Sequence, residues 1–292
     1  MIRDIGSVTG SDGVTLLKMW RVSVPSGERA LQRHSHICFE ITYVNSGEGV
    51  YTVGERQYPM EPGDMFVFGS NEQHCITHVS ENGLEITNLH FEPRYLWGGS
   101  ADSLSAENIN ICFAHNESFE NRIEAVKAQP VLSFFNQIRD ELEMHGKEYS
   151  LLVKSLLNII LVTLIRRFDY TGGKAAVSRD RLHCVRRVIR YIDLHLTEEL
   201  TLGALAEIAG TTPNYFSSVF HEVVGITLWE YINSRRIDKA VRQLTADDGK
   251  SVLEIALSCG FNNTANFNKA FKKITGMTPK QCRELGGTFI SI

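Results

Sequence analysis

The chain has 292 residues, of which 43% are hydrophobic and 22% are charged; this excludes a disordered or fibrous protein and favours two folded domains. The net charge of −4 is unevenly divided, because residues 179–292 carry 15 Lys and Arg against 12 Asp and Glu while the rest of the chain is acidic. A mildly basic second part is compatible with a nucleic-acid partner.

The compartment is predicted from two features of the sequence. The first ten residues have neither the basic nor the apolar region of a signal peptide, and no apolar run reaches the roughly 18 residues of a membrane span. The six cysteines are scattered without CxxC pairs, which favours reduced thiols that serve as small packing residues. We therefore expect a cytoplasmic protein that does not enter a membrane.

The first part of the chain, from residue 1 to about residue 93, has the pattern of short strands separated by turns. Apolar and polar residues alternate, and turns are predicted at Ser46-Gly47, Val53-Gly54 and Pro62-Gly63. Strands of this length and spacing predict a barrel or a sandwich.

Four polar residues in this region are candidates for a binding site. His34, His36 and Glu40 are separated by even numbers of residues, so a strand would place all three on one face. His74 follows a later strand. Three imidazoles and a carboxylate would suit zinc, iron or manganese. We expect these residues to form the polar lining of a small-molecule pocket without a metal. The alternatives are a bound divalent metal and a solvated strand face.

Helical spacing replaces the strand pattern after about Ser118, and two helices are predicted before residue 170. The run from Leu151 to Ile165 is apolar on too many sides for a lone surface helix, so part of it is buried against the barrel or against a second subunit. We favour a dimer helix, and the alternative is a helix packed only within its own chain. Residues 171–179 include Gly172-Gly173 and predict a linker.

The last part of the chain contains an internal repeat of a helix, a tight turn and a second helix. Leu205-Ala206 and Gly210 match Ile255-Ala256 and Gly260, and Phe216 and Phe220 then match Phe267 and Phe271. The phenylalanines belong to apolar stripes at helical spacing, which predicts that they face the core. The glycines lie where each turn needs a left-handed backbone.

The opposite faces of the two second helices are predicted to be exposed and to read base edges. They carry compact hydrogen-bonding or methyl-contacting side chains, which suit the major groove. The base-facing candidates are Asn214, Ser217, Ser218, His221, Thr264, Ala265, Asn268 and Lys269. Nearby basic residues would hold phosphates without reading sequence; these candidates are Arg186, Arg187, Arg190, Lys272 and Lys273.

The two repeats are separated by a predicted helix from Leu228 to about Thr245. Its ~17 residues would span roughly 26 Å, so it can act as a spacer between the two second helices. Adjacent major-groove segments on one DNA face lie about 34 Å apart. One monomer could therefore read both segments.

Residues 183 to 285 resemble the AraC/XylS family of transcription regulators. The resemblance lies in EIAG-TTPNYFSSVFHEVVGITLWEYINSRRIDKAVRQL and, more specifically, in SVLEIALSCGFNNTANFNKAFKKITGMTPKQCR. The first repeat departs from the family in having Ser217 and Ser218 where longer polar side chains are common. The spacing of His34, His36, Glu40 and His74 likewise resembles the cupin signature, although the Pro-x-Gly that usually precedes the last histidine is absent.

The resemblance implies an α+β multidomain protein with an N-terminal cupin-like β-barrel. We expect sensing and dimerisation in residues 1–170, with a barrel over about 1–118 and helices over about 119–170. The linker covers 171–179, and an all-α DNA-binding domain covers 180–292 with helix-turn-helix units at about 201–225 and 251–276.

The function implied is sequence-specific binding to promoter DNA, controlled by a small molecule in the barrel. We expect no catalytic residues and no cofactor, and we expect a homodimer, an activator role and RNA polymerase as a partner. A sugar or glycoside is the first expectation for the effector, on the resemblance of GEGVYTVGERQYPMEPGDMFVF to sensing domains of carbohydrate-pathway regulators. The alternatives are a metal-dependent cupin enzyme with a helical appendage and a regulator that answers only to a protein partner.

Overall fold

A computed structural model of the chain describes residues 2–10, 14–28, 35–97, 112, 115–171, 179–246 and 249–284. The chain divides into two compact units: residues 1–31 with 38–176, and residues 32–37 with 177–292. His34 and most of the predicted linker, residues 172–178, lie outside the described residues.

The N-terminal unit is built on one antiparallel sheet of eight strands. The strands are β1 (Ile2–Thr9), β2 (Thr15–Val24), β3 (Gly27–Glu28), β4 (Phe39–Val53), β5 (Arg56–Met60), β6 (Met65–Phe68), β7 (His74–Phe91) and β8 (Arg122–Ile123). Their order is β1-β2-β7-β4-β6-β8, with β3 added to β7 and β5 added to β4. The long strands β4 and β7 therefore form the centre of the sheet.

The sheet wraps around its own core, as in a cupin-like barrel. Five strands contribute to one cluster of buried apolar side chains, among which Tyr51, Phe66 and Phe68 have their ring centroids 4.9 to 6.3 Å apart. The pleat places alternate side chains of each strand on this inner face. The α+β architecture expected from the sequence is confirmed.

The predicted turn at Ser46-Gly47 is wrong, because these residues lie inside β4. The strand continues to Val53, and its pairing with β7 shifts register on both sides of Gly47. Gly47 has φ +83°, and a Cβ there would lie 2.0 Å from the carbonyl oxygen of Gly83. The glycine thus serves a β-bulge that bends the strand rather than a chain reversal.

Two helices follow the sheet in this unit, α1 (Ala125–Met144) and α2 (Tyr149–Phe168). Phe135 of α1 is buried, with its ring centroid 6.2 Å from that of Tyr43 in β4, so α1 packs on the sheet. The two-residue strand β8 falls within the range where only helices were expected, and α1 begins immediately after it.

Every regular element in the described part of the C-terminal unit is a helix. Its helices are α3 (Arg179–Leu194), α4 (Leu202–Ala209), α5 (Pro213–Val224), α6 (Leu228–Thr245), α7 (Val252–Ser258), α8 (Thr264–Thr275) and α9 (Pro279–Glu284). The spacer helix begins and ends at the predicted residues. Thr227 and Glu230 form a capping box that fixes its start. A second capping box, Ser251 with Glu254, begins α7.

None of the helices within the described ranges is long and apolar enough to cross a bilayer. All six cysteines are free thiols and five of them are buried, in keeping with their predicted packing role.

Candidate functional site

The two helix-turn-helix units bury their phenylalanines and expose the opposite sides of their second helices. Phe216, Phe220, Phe267 and Phe271 are all 0% exposed. Each pair of rings on one helix is in contact, with centroids 5.8 Å apart on α5 and 5.5 Å apart on α8. The apolar stripes predicted from the sequence therefore form the cores of the two units.

The turns of the two units have the backbone that the sequence predicted. Gly210 has φ +72° and Gly260 has φ +88°, both in the left-handed region that favours glycine. Thr212 occupies the N-cap of α5, but its side chain makes no capping hydrogen bond. Asn263 caps α8 by accepting a hydrogen bond from the backbone N–H of Asn266 at 2.8 Å.

All eight candidate base-reading side chains are at least partly exposed. Ser217 and Thr264 are half-buried, whereas six are exposed: Asn214, Ser218, His221, Ala265, Asn268 and Lys269. Tyr215 and Asn266 are exposed on the same helices and were absent from the predicted set. Their positions, one residue before a buried phenylalanine, could have been read from the same periodicity.

The candidate phosphate-binding residues lie on α3 and α8. Arg187, Arg190 and Lys272 are exposed, and Arg186 is half-buried with interactions inside the protein. Arg187 lies beside the first turn, since a Cβ at Gly210 would be 3.4 Å from its guanidinium nitrogen.

Lys273 differs from the other candidates because it also has a structural contact. Its Nζ lies 2.9 Å from Oε1 of Glu230 at the start of the spacer helix. This hydrogen bond, with those from Thr227, lowers the pKa of Glu230 to about 2. Lys273 thus links α8 to α6, whatever contact it makes with DNA.

A buried polar cluster lies among the strands of the N-terminal unit. Glu40, His74 and His90 have side chains that are 2 to 3% exposed, and both imidazoles approach the same carboxylate oxygen. The distance from Oε2 of Glu40 is 3.1 Å to Nε2 of His74 and 2.8 Å to Nε2 of His90. Thr42 donates a hydrogen bond to the other oxygen, Oε1, at 2.7 Å.

The strands explain how this cluster forms. Glu40 of β4 is paired with His90 of β7 on one side and with Phe68 of β6 on the other. The ring of His74 stacks on that of Phe68, with centroids 4.1 Å apart and planes 9° apart. The edge of the Trp20 ring system packs against His90, with centroids 4.5 Å apart.

Burial and charge act in opposite directions on His74. Burial lowers its pKa, but the charge of Glu40 and hydrogen bonds to Glu40 and to the carbonyl of Glu72 outweigh this effect and raise it. Nδ1 of His74 lies 2.9 Å from the Glu72 carbonyl oxygen. Because a carbonyl only accepts, this contact places a proton on Nδ1.

Two members of the set predicted from the sequence come together in this cluster. They are Glu40 and His74, and His90, which was not predicted, joins them. His36 is buried in the short segment grouped with the C-terminal unit, and His34 lies outside the described residues. His90 was missed because it has no motif spacing, and only the pairing of β4 with β7 brings it to Glu40.

A surface cavity of about 230 Å³ also lies in the N-terminal unit. It is lined by two aromatic side chains, Phe119 and Phe168, and by polar groups that include Asn116, Arg122 and Asp169. Arg122 is held there by ion pairs with Asp64 and Glu61. The volume is below the roughly 300 to 1,000 Å³ of most ligand pockets.

Comparison with protein families gives two matches that together span most of the chain. The AraC-like ligand binding domain matches residues 26–160, and a helix-turn-helix domain matches residues 205–285.

Two curated relatives cover much of the chain. The melibiose operon regulatory protein of Escherichia coli K12 is 27% identical over 265 residues, which are 86% of this chain and 83% of that protein. An uncharacterized HTH-type transcriptional regulator of Staphylococcus aureus is 26% identical over 243 residues. The matched region covers 83% of this chain but spans only 31% of that regulator's length.

Among solved structures, ToxT from Vibrio cholerae has a similar fold. The match has a TM-score of 0.61 at 11% sequence identity and covers 92% of this chain and 97% of ToxT. At this identity the likeness concerns the fold alone.

Proposed function

The chain belongs to the AraC family of transcription regulators, and on that premise we propose that it binds promoter DNA through α5 and α8 under the control of a small molecule. It is a DNA-binding regulator and not the metal-dependent enzyme considered as the alternative, since the matched domains and relatives are those of regulators. The observation that carries the proposal is the repeated pair of helices with buried phenylalanines and exposed, compact polar faces.

The exposed faces have the chemistry to read base edges. Asn268 can pair with adenine and Lys269 with guanine, and the methyl group of Ala265 can touch thymine. On α5, the shorter Ser217 and Ser218 with Asn214 and His221 offer less reach, so we propose that the second unit gives most of the discrimination. Arg187, Arg190 and Lys272 would contact phosphates and fix the register.

The DNA-binding proposal is tested by selecting fragments of genomic DNA with the full chain. We expect enrichment of a small number of sites, each with two recognition segments about one duplex turn apart. Specific binding should exceed non-specific binding by roughly 10³-fold or more at physiological salt. Retention of all fragments in proportion to their length would contradict sequence-specific binding.

We further propose that the effector is a sugar or glycoside held in the N-terminal unit. The support is the relative named as a melibiose operon regulatory protein, together with the match to a ligand binding domain. An effector can change promoter occupancy only through unequal affinity for two arrangements of the protein.

A thermal-shift screen of sugars, glycosides and fatty acids tests the effector. A ligand present at 100 times its Kd should add about 2.7 kcal/mol to the stability of the folded protein. Stabilisation by fatty acids alone would contradict the sugar proposal, and no stabilisation by any small molecule would favour control by a protein partner.

The place of the effector can be tested with two variants. If the effector contacts the buried cluster, Glu40→Gln should remove the ligand-induced stabilisation while Asn116→Ala, in the surface cavity, leaves it intact. The reverse result would place the effector in the cavity.

The exposed side of α2 supports a homodimer. Leu152, Ile159 and Val162 recur at helical spacing along this side and are 37 to 44% exposed, with Leu151 beside them at 63%. Exposed apolar residues along one side of a surface helix mark an interaction site more often than scattered apolar residues do. A second copy, related by a two-fold axis, would bury the stripe against itself.

We propose activation through contact with RNA polymerase as the outcome of promoter binding. Transcription in vitro from a selected fragment, with and without the effector, tests the direction of control. A fall in transcript upon adding the protein in both conditions would identify a repressor instead.

A further inference from the structure

We propose that His115 is a pH-sensitive switch that fastens the end of α2 to the loop between β6 and β7. The protonated ring joins Glu72 of that loop to the segment 115–121, and this segment in turn holds the two residues that follow α2, Asp169 and Tyr170. When the ring loses a proton, one of its two contacts is lost and the segment is released. The proposal depends on neither DNA binding nor the identity of the effector.

The carboxyl group of Glu72 is ionised, because its neighbours are donors. It accepts hydrogen bonds from the backbone N–H of Gly69 at 2.9 Å and from Nδ2 of Asn121 at 3.0 Å, and Nε2 of His115 lies 2.9 Å from its Oε1. Burial alone would raise the pKa of Glu72, but the hydrogen bond and charge of His115, with the other two hydrogen bonds, outweigh burial and lower it. Nε2 of His115 therefore faces an acceptor and carries a proton.

The second ring nitrogen of His115 also faces an acceptor. Nδ1 lies 2.8 Å from the backbone carbonyl oxygen of Asn116, and a carbonyl oxygen can only accept. Both contacts are satisfied together only by the imidazolium, which has a proton on each nitrogen. In the neutral ring the lone pair of one nitrogen would face an oxygen at that distance, so one of the two contacts must break.

The segment held by His115 is attached to the residues that follow α2. The backbone N–H of Asn116 donates to the carbonyl oxygen of Tyr170 at 2.7 Å, and Nδ2 of Asn116 donates to Asp169 at 3.2 Å. The ring of Tyr170 is fully buried, with its centroid 4.6 Å from that of Phe119 and 5.6 Å from that of His115. Release of the segment would therefore loosen the end of α2, directly before the residues predicted as a linker.

The other titratable groups around His115 keep one charge state near neutral pH. Burial raises the pKa of the Cys112 thiol and of the Tyr170 phenol, so both are neutral. Carboxylates and guanidinium groups stay charged between about pH 5.5 and 8.5. Those nearby are Glu72 on the loop, Asp169 after α2, Glu117 and Glu120 on the segment itself, and Arg56 of β5, which donates to the carbonyl oxygen of Glu117.

Linkage gives the direction of the effect. The folded chain holds the protonated ring between two acceptors, and the unfolded chain does not. His115 therefore contributes stability that is fully present below its unfolded pKa of about 6.5 and is lost as the pH rises through the pKa of the folded state. The segment 115–121 should be held more firmly in mild acid than in mild base.

The charge on His115 is measured by the nitrogen chemical shifts of the imidazole rings in the full, unaltered chain labelled at histidine. Its signals are assigned by nuclear Overhauser effects to the rings of Phe119 and Tyr170, which separates it from His74 beside Glu72. We expect His115 to be mainly doubly protonated at about pH 7, where a free histidine is mainly neutral. A neutral His115 at this pH would overturn the proposal, and this result does not require any variant to fold.

Hydrogen exchange of a peptide that covers residues 115–121 measures the release of the segment. After correction for base-catalysed exchange, we expect protection in the unaltered chain to fall about tenfold between pH 6 and pH 8.5, as for a folded state that binds the proton about ten times more tightly than the unfolded chain. In His115→Gln the protection should be low at both pH values. His78→Gln removes an exposed histidine of β7 and should keep the full pH dependence.

Equal pH dependence of this peptide in the unaltered chain and in His115→Gln would overturn the proposal, because another group would then be responsible. Protection that rises with pH in the unaltered chain would also contradict it, since the neutral ring would then be the form that holds the segment.

Discussion

At the residue scale, α8, one of the two helices proposed to read DNA, has different side chains on its two sides. On α8, Phe267 and Phe271 are buried, Asn268 and Lys269 are exposed, and Lys272 lies one turn beyond them. A base contact and a phosphate contact should therefore be separable by single substitutions on one helix.

We expect Asn268→Ala and Lys269→Ala to change sequence preference and Lys272→Ala to weaken binding to all sequences alike. Loss of a bidentate base contact should cost about 1 to 3 kcal/mol at one base pair, whereas loss of a phosphate contact should reduce the salt slope by about 1. Binding isotherms on the selected site and on single-base variants, at several salt concentrations, measure both. Unchanged preference in the first two variants would remove α8 from the major groove.

The ion pair between Glu230 and Lys273 should make the C-terminal unit sensitive to acid. The pKa of Glu230 is lowered to about 2, chiefly by the hydrogen bond from Lys273 and then by those from Thr227. A carboxylate whose pKa is depressed on folding contributes stability above its unfolded pKa of about 4.5, and this stability is lost as the pH falls toward 2.

Urea unfolding between pH 6 and pH 3, with Glu230→Gln as the comparison, measures this contribution. Because the pair is half exposed and screened by solvent, we expect it to contribute no more than about 1 kcal/mol. Equal pH dependence in the two proteins would show that Glu230 makes no such contribution.

At the element scale, Gly260, which follows α7 in the second helix-turn-helix unit, has neighbours that leave no room for a side chain. A Cβ at Gly260 would lie 2.9 Å from Nε of Arg236 and 3.0 Å from the carbonyl oxygen of Leu196, and φ is +88°. Arg236 itself donates to the carbonyl oxygens of Leu196 and Glu198. The turn therefore packs where the spacer helix meets the loop after α3.

Gly260→Ala should destabilise the protein by about 1 to 3 kcal/mol, since it adds backbone strain and displaces Arg236. Gly203→Ala is the matched control, because it lies inside α4 and a Cβ added there would meet nothing within 4 Å. This second change should be neutral or stabilise by up to about 1 kcal/mol. Thermal unfolding of both variants measures the difference.

The elements differ in how far the sequence predicts them. The helix-turn-helix units were predictable because their signals are local: a 3.6-residue stripe around Phe216 or Phe267, a glycine turn and nearby caps. The bulge at Gly47 could not be predicted from the sequence, because a turn and a bulge both use a left-handed glycine. Only the pairing with the partner strand distinguishes them. His90 was missed for the same reason, since its contact with Glu40 depends on pairing across about 50 residues of chain.

At the scale of the whole molecule, the exposed apolar side chains of α2, Leu151, Leu152, Ile159 and Val162, are the basis for the proposed homodimer. The stripe lies on the helix that follows the sheet, and its other side is buried through Val153, Leu157 and Ile160. A helix apolar on two sides is stable in water when a partner covers the second side.

Ile159→Glu combined with Val162→Glu should convert the proposed dimer to a monomer, because two carboxylates would be buried on each side of the contact. The control is Val126→Glu, which changes a residue on α1 that is 90% exposed and outside the stripe. Sedimentation velocity of the three proteins distinguishes the states. A monomer in the unaltered chain at micromolar concentration would contradict the proposed interface.

The spacer helix α6 has one further consequence for DNA. Arg235 and Asp238 are both about 5% exposed, and Arg235 is paired with Asp193 of α3 at 3.1 Å, so α6 has little freedom to tilt. If α6 is stiff, the distance between α5 and α8 is fixed. A duplex whose major-groove segments do not match that distance must bend or twist to contact both helices. Base pairs that no side chain touches would then influence affinity through their flexibility, and a single-strand nick midway between the two contacted segments should tighten binding.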